Sequence, residues 1–299
     1  MAKKLKLGII GMSEGNGHPY SWSAIFNGYD RNEMALCPFP VIPEYLNQQR
    51  FPEDFLSDIA EVTHVWTQDR QLSESVARAA LINNVCDTKE EMIGSIDALL
   101  LARDDAENHY DHALPFLEAG IPIYIDKPFA LTVKNANKLW GKCLYPNQIF
   151  TCSALQFANE FNVTNLSGLG DIQYIWATVP KSWNKYAVHI IEPVLILIPN
   201  RGRLADINQI PEANAEIKSV LVSWSSGVSA QFQTTGKLPV PLSIRVLGTK
   251  GIAELKFIDT FNAFKKALET FVKVIRKEQV NISREFTLEM VKILETGNA

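Results

Sequence analysis

The stretch that decides the fold is Leu5-Lys-Leu-Gly-Ile-Ile-Gly-Met-Ser-Glu-Gly-Asn-Gly17, an apolar run that leads directly into a glycine-rich turn. The run has the length and apolar character of a buried parallel strand. A strand followed by such a turn and a helix is typical of a dinucleotide-binding domain, because glycines let the backbone approach a pyrophosphate. The usual fingerprint is G-x-G-x-x-G, and Ser13 stands here at the second glycine position. By spacing alone, a glycine-rich turn without a ligand is a serious alternative.

The composition is that of a globular chain long enough for two domains. The 299 residues are 46% hydrophobic and 21% charged, with a formal net charge of -4 and a pI near 5.8. Such a mildly acidic chain lacks the excess of positive charge that binds nucleic acid or an anionic membrane, so we expect neither partner. The cysteines are scattered without a C-x-x-C pair, which predicts free thiols in the cytoplasm and no metal site. No apolar stretch reaches the roughly 20 residues that span a bilayer, and we see no signal peptide.

In the first half of the chain, apolar runs that suit strands alternate with stretches at helical spacing. The strand candidates are 4–10, 62–67, 85–86, 96–102 and 121–125, and the helix candidates are 21–29, 73–81, a helix that opens at Thr88, and 109–119. This alternation predicts a parallel sheet with right-handed crossovers. The segment 30–61 holds four prolines among aromatic residues, and we expect an insertion with turns and one short helix.

The second half has a different pattern, with strand candidates separated by gaps of hairpin length. They are 172–179, 217–224, 228–234, 242–246 and 252–257, followed by helix candidates at about 262–277 and 283–295. These strands predict a mostly antiparallel sheet. The predicted fold class is therefore α/β, with an N-terminal Rossmann domain over 1–127 and a C-terminal α+β domain over 128–299.

Asp69 stands at the tip of the second strand, where a dinucleotide-binding domain places the acidic residue that binds the adenosine ribose. It lies 58 residues after Gly11, and the insertion accounts for the excess over the usual separation. A carboxylate at this point accepts a hydrogen bond from the 2′-hydroxyl of NAD and repels the 2′-phosphate of NADP, whereas Arg70 next to it would reverse that preference. The alternative is that Asp69 is only a solvated turn residue.

Two further groups of polar residues suit chemistry. Asp126-Lys127-Pro128 ends a strand at the sheet edge where ligands collect in open α/β sheets, although a surface lysine in a turn is the simpler interpretation. In a helix from Trp183 to Glu192, the side chains of Lys185, His189 and Glu192 would share one face. Such a polar stripe on an otherwise apolar helix must face a partner, a cleft or solvent.

Several of these pieces, in this order, resemble the Gfo/Idh/MocA oxidoreductases. The matching pieces are Ile96-Asp-Ala-Leu-Leu-Leu-Ala102, His109, Leu117-Glu-Ala-Gly120, Asp126-Lys-Pro128, Gly168-Leu-Gly-Asp-Ile172 and Ile244-Arg-Val-Leu-Gly-Thr-Lys-Gly-Ile-Ala-Glu-Leu255. The resemblance covers nearly the whole chain. The resemblance implies NAD or NADP in the Rossmann domain, with NAD favoured, and a sugar or nucleotide-sugar substrate in the second domain. It also implies a homo-oligomer, either a dimer or a tetramer.

The resemblance further implies roles for individual residues. The cofactor contacts would be Gly11, Met12, Ser13, Gly15, Asp69, Arg70, Asn108, His109 and Asp126. Lys127 would orient the substrate oxygen near the nicotinamide, and His189 would be the general acid/base, with Tyr186 assisting. Lys185 and Trp183 would complete the substrate site.

The chain departs from the family pattern in its glycine loop and at two other positions. Asp126 replaces the usual glutamate, and Lys185 stands where the family often has an aspartate four residues before His189. We therefore predict an NAD(P)-dependent oxidoreductase that interconverts a secondary alcohol and a ketone on a sugar or sugar derivative. The alternatives are a redox-neutral epimerase or hydrolase that uses bound NAD, and a non-catalytic nucleotide sensor or scaffold. A loop that fills the pyrophosphate site would favour the scaffold.

Overall fold

The computed structural model describes residues 3–298, which divide into two compact units. The first unit runs up to Phe129 and also holds 137–151 and 264–282. The second unit holds 130–136, 152–263 and the chain from Ser283 onward. The chain thus first passes between the units two residues after the predicted boundary at 127, but its later returns to the first unit were not anticipated.

The first unit is built on a sheet of six parallel strands. They are β1 (Leu5–Ile10), β2 (Ala60–Trp66), β3 (Asn84–Val85), β4 (Ala98–Leu101), β5 (Ile123–Ile125) and β6 (Ile149–Thr151). Their order in the sheet is β3-β2-β1-β4-β5-β6, and all neighbours are parallel. Because the strand order reverses between β1 and β4, a ligand crevice is expected at their carboxyl ends.

The helices of the first half follow the predicted alternation. They are α1 (His18–Asn27), α2 (Arg31–Ala35), α3 (Val41–Leu46), α4 (Arg70–Ala79), α5 (His109–Glu118) and α6 (Val133–Trp140). The insertion before β2 thus forms two short helices, α2 and α3, where one was expected. The returns to the first unit complete its core, since Phe150 of β6 and the later Phe271 pack around Tyr124 with ring centroids 4.8 and 5.6 Å from that ring.

The second unit contains a six-stranded mixed sheet. Its strands are β7 (Ile172–Val179), β8 (Leu204–Ile210), β9 (Lys218–Trp224), β10 (Ser229–Thr234), β11 (Ser243–Gly248) and β12 (Gly251–Lys256). The order is β12-β11-β7-β10-β9-β8, and every pair except β7 with β10 is antiparallel. The α/β fold class with a second, mostly antiparallel sheet is therefore confirmed.

Four further helices follow β7. They are α7 (Trp183–Tyr186), α8 (Val188–Leu197), α9 (Thr260–Ile275) and α10 (Arg284–Thr296). Helix α8 is almost entirely buried, because its sequence is apolar on every side. The helix predicted over 183–192 is thus two consecutive helices, α7 and α8. Within residues 3–298, no helix is both long and apolar enough to cross a membrane.

Candidate functional site

The glycine-rich loop after β1 packs tightly against its surroundings. A Cβ atom on Gly11 would lie 2.3 Å from Pro19 Cγ, so only glycine allows β1 and α1 to approach so closely. A Cβ on Gly17 would lie 2.6 Å from the side chains of Phe39 and Ile42, which belong to the insertion. Gly15 differs from both, because its φ is +77° and the position of its Cβ is open. At Gly15 the loop backbone therefore stays accessible to a ligand.

Gln68, which the sequence reading did not single out, holds the loop from the end of β2. Its side-chain amide accepts from the Met12 N–H at 2.9 Å and donates to the Met12 carbonyl at 2.7 Å. Arg103 donates to the same carbonyl at 3.2 Å. Both main-chain polar groups of Met12 are thus bonded within the chain itself, and the cofactor contact expected of Met12 stays a prediction. The position of Gln68 directly after a strand at the ligand edge was the only available signal.

The hydroxyl of Ser13 is engaged by Asp104 rather than directed to a free phosphate position. It donates to Asp104 Oδ1 at 2.7 Å and accepts from the Asp104 N–H at 3.0 Å. The expectation that Ser13 offers a hydroxyl or a backbone amide to the pyrophosphate stays a prediction, and the hydroxyl already has these two partners. At the start of α1, the His18 N–H donates to Asn16 Oδ1 at 2.8 Å, and Pro19 has no N–H. The first turn of the helix thus offers a phosphate fewer donors than is usual.

Asp69 and Arg70 stand at the start of α4 with clearly different environments. Asp69 is the N-cap of α4, and its Oδ1 accepts from the N–H groups of Gln71 and Leu72 at 2.8 and 3.3 Å. Arg70 pairs with Glu74 at 3.0 Å and also with Asp87. Oδ2 of Asp69 makes no hydrogen bond within the described chain, so this carboxylate can still accept from a ribose hydroxyl. The charge of Arg70 is neutralised by its two acidic partners.

Lys127 follows β5 and forms a buried ion pair. Its Nζ lies 3.5 Å from Asp104 Oδ2, and both side chains are only 6% exposed. A lysine and an aspartate buried to this degree stay charged when each offsets the desolvation of the other. Asp104 was missed because it belongs to no motif, although Arg103-Asp104-Asp105 follows β4 at the same sheet edge. The simpler interpretation of Lys127 as a surface residue is wrong.

Asp126 is fully buried and binds three donors of its own chain. Its carboxylate accepts from Asn16 Nδ2 at 2.9 Å, from the Lys127 N–H at 2.7 Å and from His18 Nδ1 at 2.6 Å. The imidazole of His18 stacks on Trp22 with ring centroids 4.9 Å apart. Asp126 therefore ties the glycine-rich loop to β5, and its contact with the cofactor stays a prediction.

Asn108 and His109, expected together in the cofactor cleft, differ in exposure. The imidazole of His109 is completely buried, with Nδ1 3.1 Å from the Phe129 carbonyl and Nε2 2.8 Å from the Arg103 carbonyl. This geometry gives the His109 side chain a structural role, and its contact with the cofactor stays a prediction. Asn108 is exposed and donates to Asp105 at 2.6 Å.

In the second unit, His189 lies on α8 within a chain of polar contacts. Its Nδ1 is 2.7 Å from Ser153 Oγ. The Ser153 N–H donates to Glu192 at 2.6 Å, and Gln156 donates to the same carboxyl oxygen at 3.1 Å. Burial raises the pKa of Glu192 to about 8. Glu192 thus faces the interior, whereas the sequence pattern placed it on a polar stripe with Lys185.

The other three residues of the predicted catalytic helix have distinct surroundings. The Tyr186 ring packs edge-on against His189 at a centroid distance of 5.4 Å, and its hydroxyl accepts a hydrogen bond from Lys181 Nζ. Trp183 is 2% exposed and donates its indole N–H to the Leu294 carbonyl at 2.8 Å, and its contact with the substrate stays a prediction. Lys185 is partly exposed on α7.

The donor set of the first unit suits a dinucleotide at two points. Gly15 leaves the loop backbone open, and Asp69 offers a free carboxylate oxygen of the kind that binds a ribose diol. Residues 11–18 pack mostly against the chain itself, yet this open position keeps the loop accessible. Within residues 3–298, no cluster of histidine, cysteine, aspartate or glutamate could hold a metal ion.

Sequence comparison matches part of the chain to a known protein family. Residues 40–151 match the model of the GFO_IDH_MocA family, described as an oxidoreductase family with an NAD-binding Rossmann fold. No curated protein matches the chain by sequence.

Solved structures share the fold over nearly the whole chain. GenD2 from gentamicin A biosynthesis, in complex with NAD, aligns with a TM-score of 0.73 and 13% identity over 100% of this chain and 94% of that one. Apo scyllo-inositol dehydrogenase from Lactobacillus casei aligns with a TM-score of 0.74 and 14% identity over 99% of this chain and 96% of that one. UDP-N-acetylglucosamine 3-dehydrogenase GnnA from Acidithiobacillus ferrooxidans aligns with a TM-score of 0.72 and 11% identity over 99% of this chain and 97% of that one. These identities show the fold alone, and the sequence match to the GFO_IDH_MocA family covers residues 40–151 of the chain.

Proposed function

We propose that the protein is an NAD-dependent dehydrogenase that interconverts a secondary alcohol and a ketone on a sugar or sugar derivative. The observation that carries this proposal is the buried pair of Lys127 and Asp104 at the carboxyl edge of the Rossmann sheet. A buried lysine ammonium group at this edge is suited to hold a substrate oxygen and to stabilise negative charge that develops on it.

The contacts around α4 support NAD rather than NADP. Asp69 would accept from a ribose 2′-hydroxyl, whereas a 2′-phosphate would meet its negative charge. Arg70 would not compensate, because Glu74 and Asp87 already hold its guanidinium. When bound, NAD supplies the hydride acceptor, or NADH the donor, and this chain's residues supply binding and proton transfer. The open backbone at Gly15 would receive the pyrophosphate.

The acid–base work would be divided among three side chains. Oxidation of an alcohol requires a group that takes the hydroxyl proton as the carbon loses hydride. Lys127 would hold the reacting oxygen, and His189 with Tyr186 would be the candidates for hydrogen bonding and proton exchange. The edge-on contact between the rings of Tyr186 and His189 supports their acting together.

The substrate class rests on the named neighbours. Among them are a scyllo-inositol dehydrogenase and a UDP-N-acetylglucosamine 3-dehydrogenase, so cyclic polyols and nucleotide sugars are the first compounds to test. We further propose a homo-oligomer and a cytoplasmic location, as expected for a small-molecule dehydrogenase.

One observation favours a second candidate function. Met12 and Ser13 are occupied by Gln68, Arg103 and Asp104, so the loop offers a pyrophosphate fewer free groups than a standard fingerprint. A protein with this loop could use the fold to sense a nucleotide or to scaffold other proteins without catalysis. This candidate predicts no turnover with any substrate and cofactor.

The test is turnover of the purified chain with NAD and a panel of inositols, sugars and nucleotide sugars, followed by the absorbance of reduced nicotinamide. We expect one class of polyol to be oxidised and Lys127→Ala to abolish the reaction. Lys142→Ala, at an exposed lysine 4.0 Å from Glu118, is the matched control and should keep full activity. Turnover that survives Lys127→Ala would overturn the proposed role of Lys127, and no turnover across the panel would favour the scaffold.

A further inference from the structure

The hydroxyl group of Ser153 is completely buried and has a short, definite set of partners. In the described part of the chain, Ser153 Oγ contacts only the Leu155 N–H at 3.2 Å and His189 Nδ1 at 2.7 Å. The first contact arises because Ser153 is the N-cap of the short helical turn Ala154–Phe157. Its geometry is thus set by the backbone and not by the histidine.

These two partners assign the hydrogen of the hydroxyl. A backbone N–H can only donate, so Ser153 Oγ accepts from Leu155. The hydroxyl hydrogen then has one possible acceptor, which is His189 Nδ1. A ring nitrogen that accepts a hydrogen bond carries no hydrogen, and in neutral imidazole the hydrogen is then on the other nitrogen, Nε2.

We propose that Ser153 is a positioning residue that holds neutral His189 in the Nε2–H tautomer. In this tautomer Nε2 donates a hydrogen bond and cannot take up a proton. This inference rests on the proposed function, in which His189 acts on the reacting oxygen. It makes His189 a hydrogen-bond donor to that oxygen and assigns proton exchange to Tyr186.

The identity of the partner decides this outcome. A carboxylate in contact with Nδ1 would accept a hydrogen from that nitrogen and leave Nε2 as a base. With Ser153 in that role, the Nδ1–H tautomer would leave a buried hydroxyl hydrogen without an acceptor, which is unfavourable. The exchange of a charged acceptor for a neutral donor therefore reverses which nitrogen carries the hydrogen.

The surroundings of Ser153 support the assignment. Its N–H donates to Glu192, and Gln156 donates to the same oxygen, so the carboxyl group that holds the serine backbone is itself held in place. Because burial raises the pKa of Glu192 to about 8, this carboxyl is mostly neutral at pH 7. Glu192 then adds no negative charge that would favour a protonated imidazolium ring.

Tyr186 is suited to the remaining task. Its hydroxyl oxygen accepts a hydrogen bond from Lys181 Nζ, and the lysine cation also lies over the tyrosine ring at 4.4 Å from its centroid. The lysine cation therefore lies beside the oxygen that would exchange a proton with the alcohol.

The test is a proton–nitrogen correlation spectrum of the full chain labelled with ¹⁵N-histidine, recorded where the imidazole ring is neutral. His189→Gln assigns the signals by their loss. We expect a protonated Nε2 and a bare Nδ1 in the native protein, a mixture of tautomers in Ser153→Ala, and the native pattern again in Ser153→Thr. Ser167→Ala, at an exposed serine of the same unit, is the control and should change nothing.

A protonated Nδ1 in the native spectrum would overturn the proposal, as would an unchanged tautomer in Ser153→Ala. If Ser153→Ala does not fold, the native spectrum decides by itself. This readout does not depend on turnover, so a failure of the proposed function would appear as absent activity with the tautomer still as expected.

Discussion

The two units hold their candidate functional groups by opposite means. In the lysine cluster (Lys127, Asp104 and Ser13), a buried cation faces a buried carboxylate. In the histidine cluster (His189, Ser153 and Glu192), an imidazole faces a neutral hydroxyl. The first arrangement preserves charge, because each ion offsets the burial of the other, whereas the second fixes orientation and tautomer without adding charge. Removing a partner should therefore cost more in the lysine cluster than in the histidine cluster.

The largest effect is expected for Lys127→Met. The substitution leaves Asp104 buried without its cation, which should lower the free energy of unfolding by about 3 to 5 kcal/mol, and it should lower kcat/KM at least about 100-fold. Urea unfolding and initial rates measure the two effects. The double variant Lys127→Met/Asp104→Asn should recover stability but not activity. A single variant that loses less than about 1 kcal/mol would show that Asp104 does not depend on this lysine.

The next largest effect concerns Glu192→Gln and depends on pH. The pKa of Glu192 rises from 4.5 in the unfolded chain to about 8 in the folded protein because of burial. The unfolded chain releases this proton first, so native stability falls as the pH rises from 4.5 to about 8. The neutral glutamine avoids this loss and should be more stable than the native protein by about 4 kcal/mol at pH 8 and by much less at pH 5.

Thermal or urea unfolding at several pH values measures this difference. The exposed Glu285→Gln on α10 is the control, and we expect its difference from the native protein to stay flat with pH. A Glu192→Gln variant whose advantage does not grow with pH would show that Glu192 is ionised in the folded protein.

A matched pair of serine variants sharpens the comparison directly. Ser13→Ala removes a hydrogen bond to a charged carboxylate and should cost about 1.5 to 3 kcal/mol. Ser153→Ala removes one to a neutral imidazole and should cost about 0.5 to 1.5 kcal/mol. Because both serines are buried, the losses in free energy of unfolding that urea unfolding measures for the two variants can be compared directly. The reverse order of the two costs would contradict the distinction between charged and neutral clusters.

Most of the fold could be predicted from the sequence, and the two missed strands have physical reasons. β6 is only three residues long, which is too short for any periodicity, and it forms because β5 offers a free edge. β8, Leu-Ala-Asp-Ile-Asn-Gln-Ile, lacks a clear apolar face because it is an edge strand held by backbone pairing with β9. Apolar runs reveal buried strands, whereas an edge strand depends on its neighbour.

The site was only partly predictable, because its key contacts join residues far apart in the chain. Lys127 and His189 emerged from motifs, but their partners did not. Asp104 is 91 residues from Ser13, and Ser153 is 36 residues from His189. Ser153 has the sequence signature of a helix cap, and its second role arises only from tertiary packing. Local patterns thus identify the reactive groups, and the groups that control them require the fold.

The smallest expected effect concerns the cofactor. Asp69→Ala should weaken NADH binding by roughly tenfold, about 1.4 kcal/mol, because the ribose loses one acceptor. The substitution should also reduce the ratio by which the protein binds NADH more tightly than NADPH. Helix α4 loses its N-cap in this variant, so Asp69→Asn, which still caps a helix, separates the loss of the charge from the loss of the cap. Equal binding of NADH by the native protein and both variants would contradict the role of Asp69.

Calorimetric titration of the native protein with NADH and with NADPH tests the central claim most directly. The account predicts that NADH binds to a single site per chain, at least about ten times more tightly than NADPH, because Asp69 has a free carboxylate oxygen and Arg70 is neutralised. Tighter binding of NADPH would contradict the assigned specificity, and the absence of binding by either dinucleotide would contradict the account of this protein as a dehydrogenase.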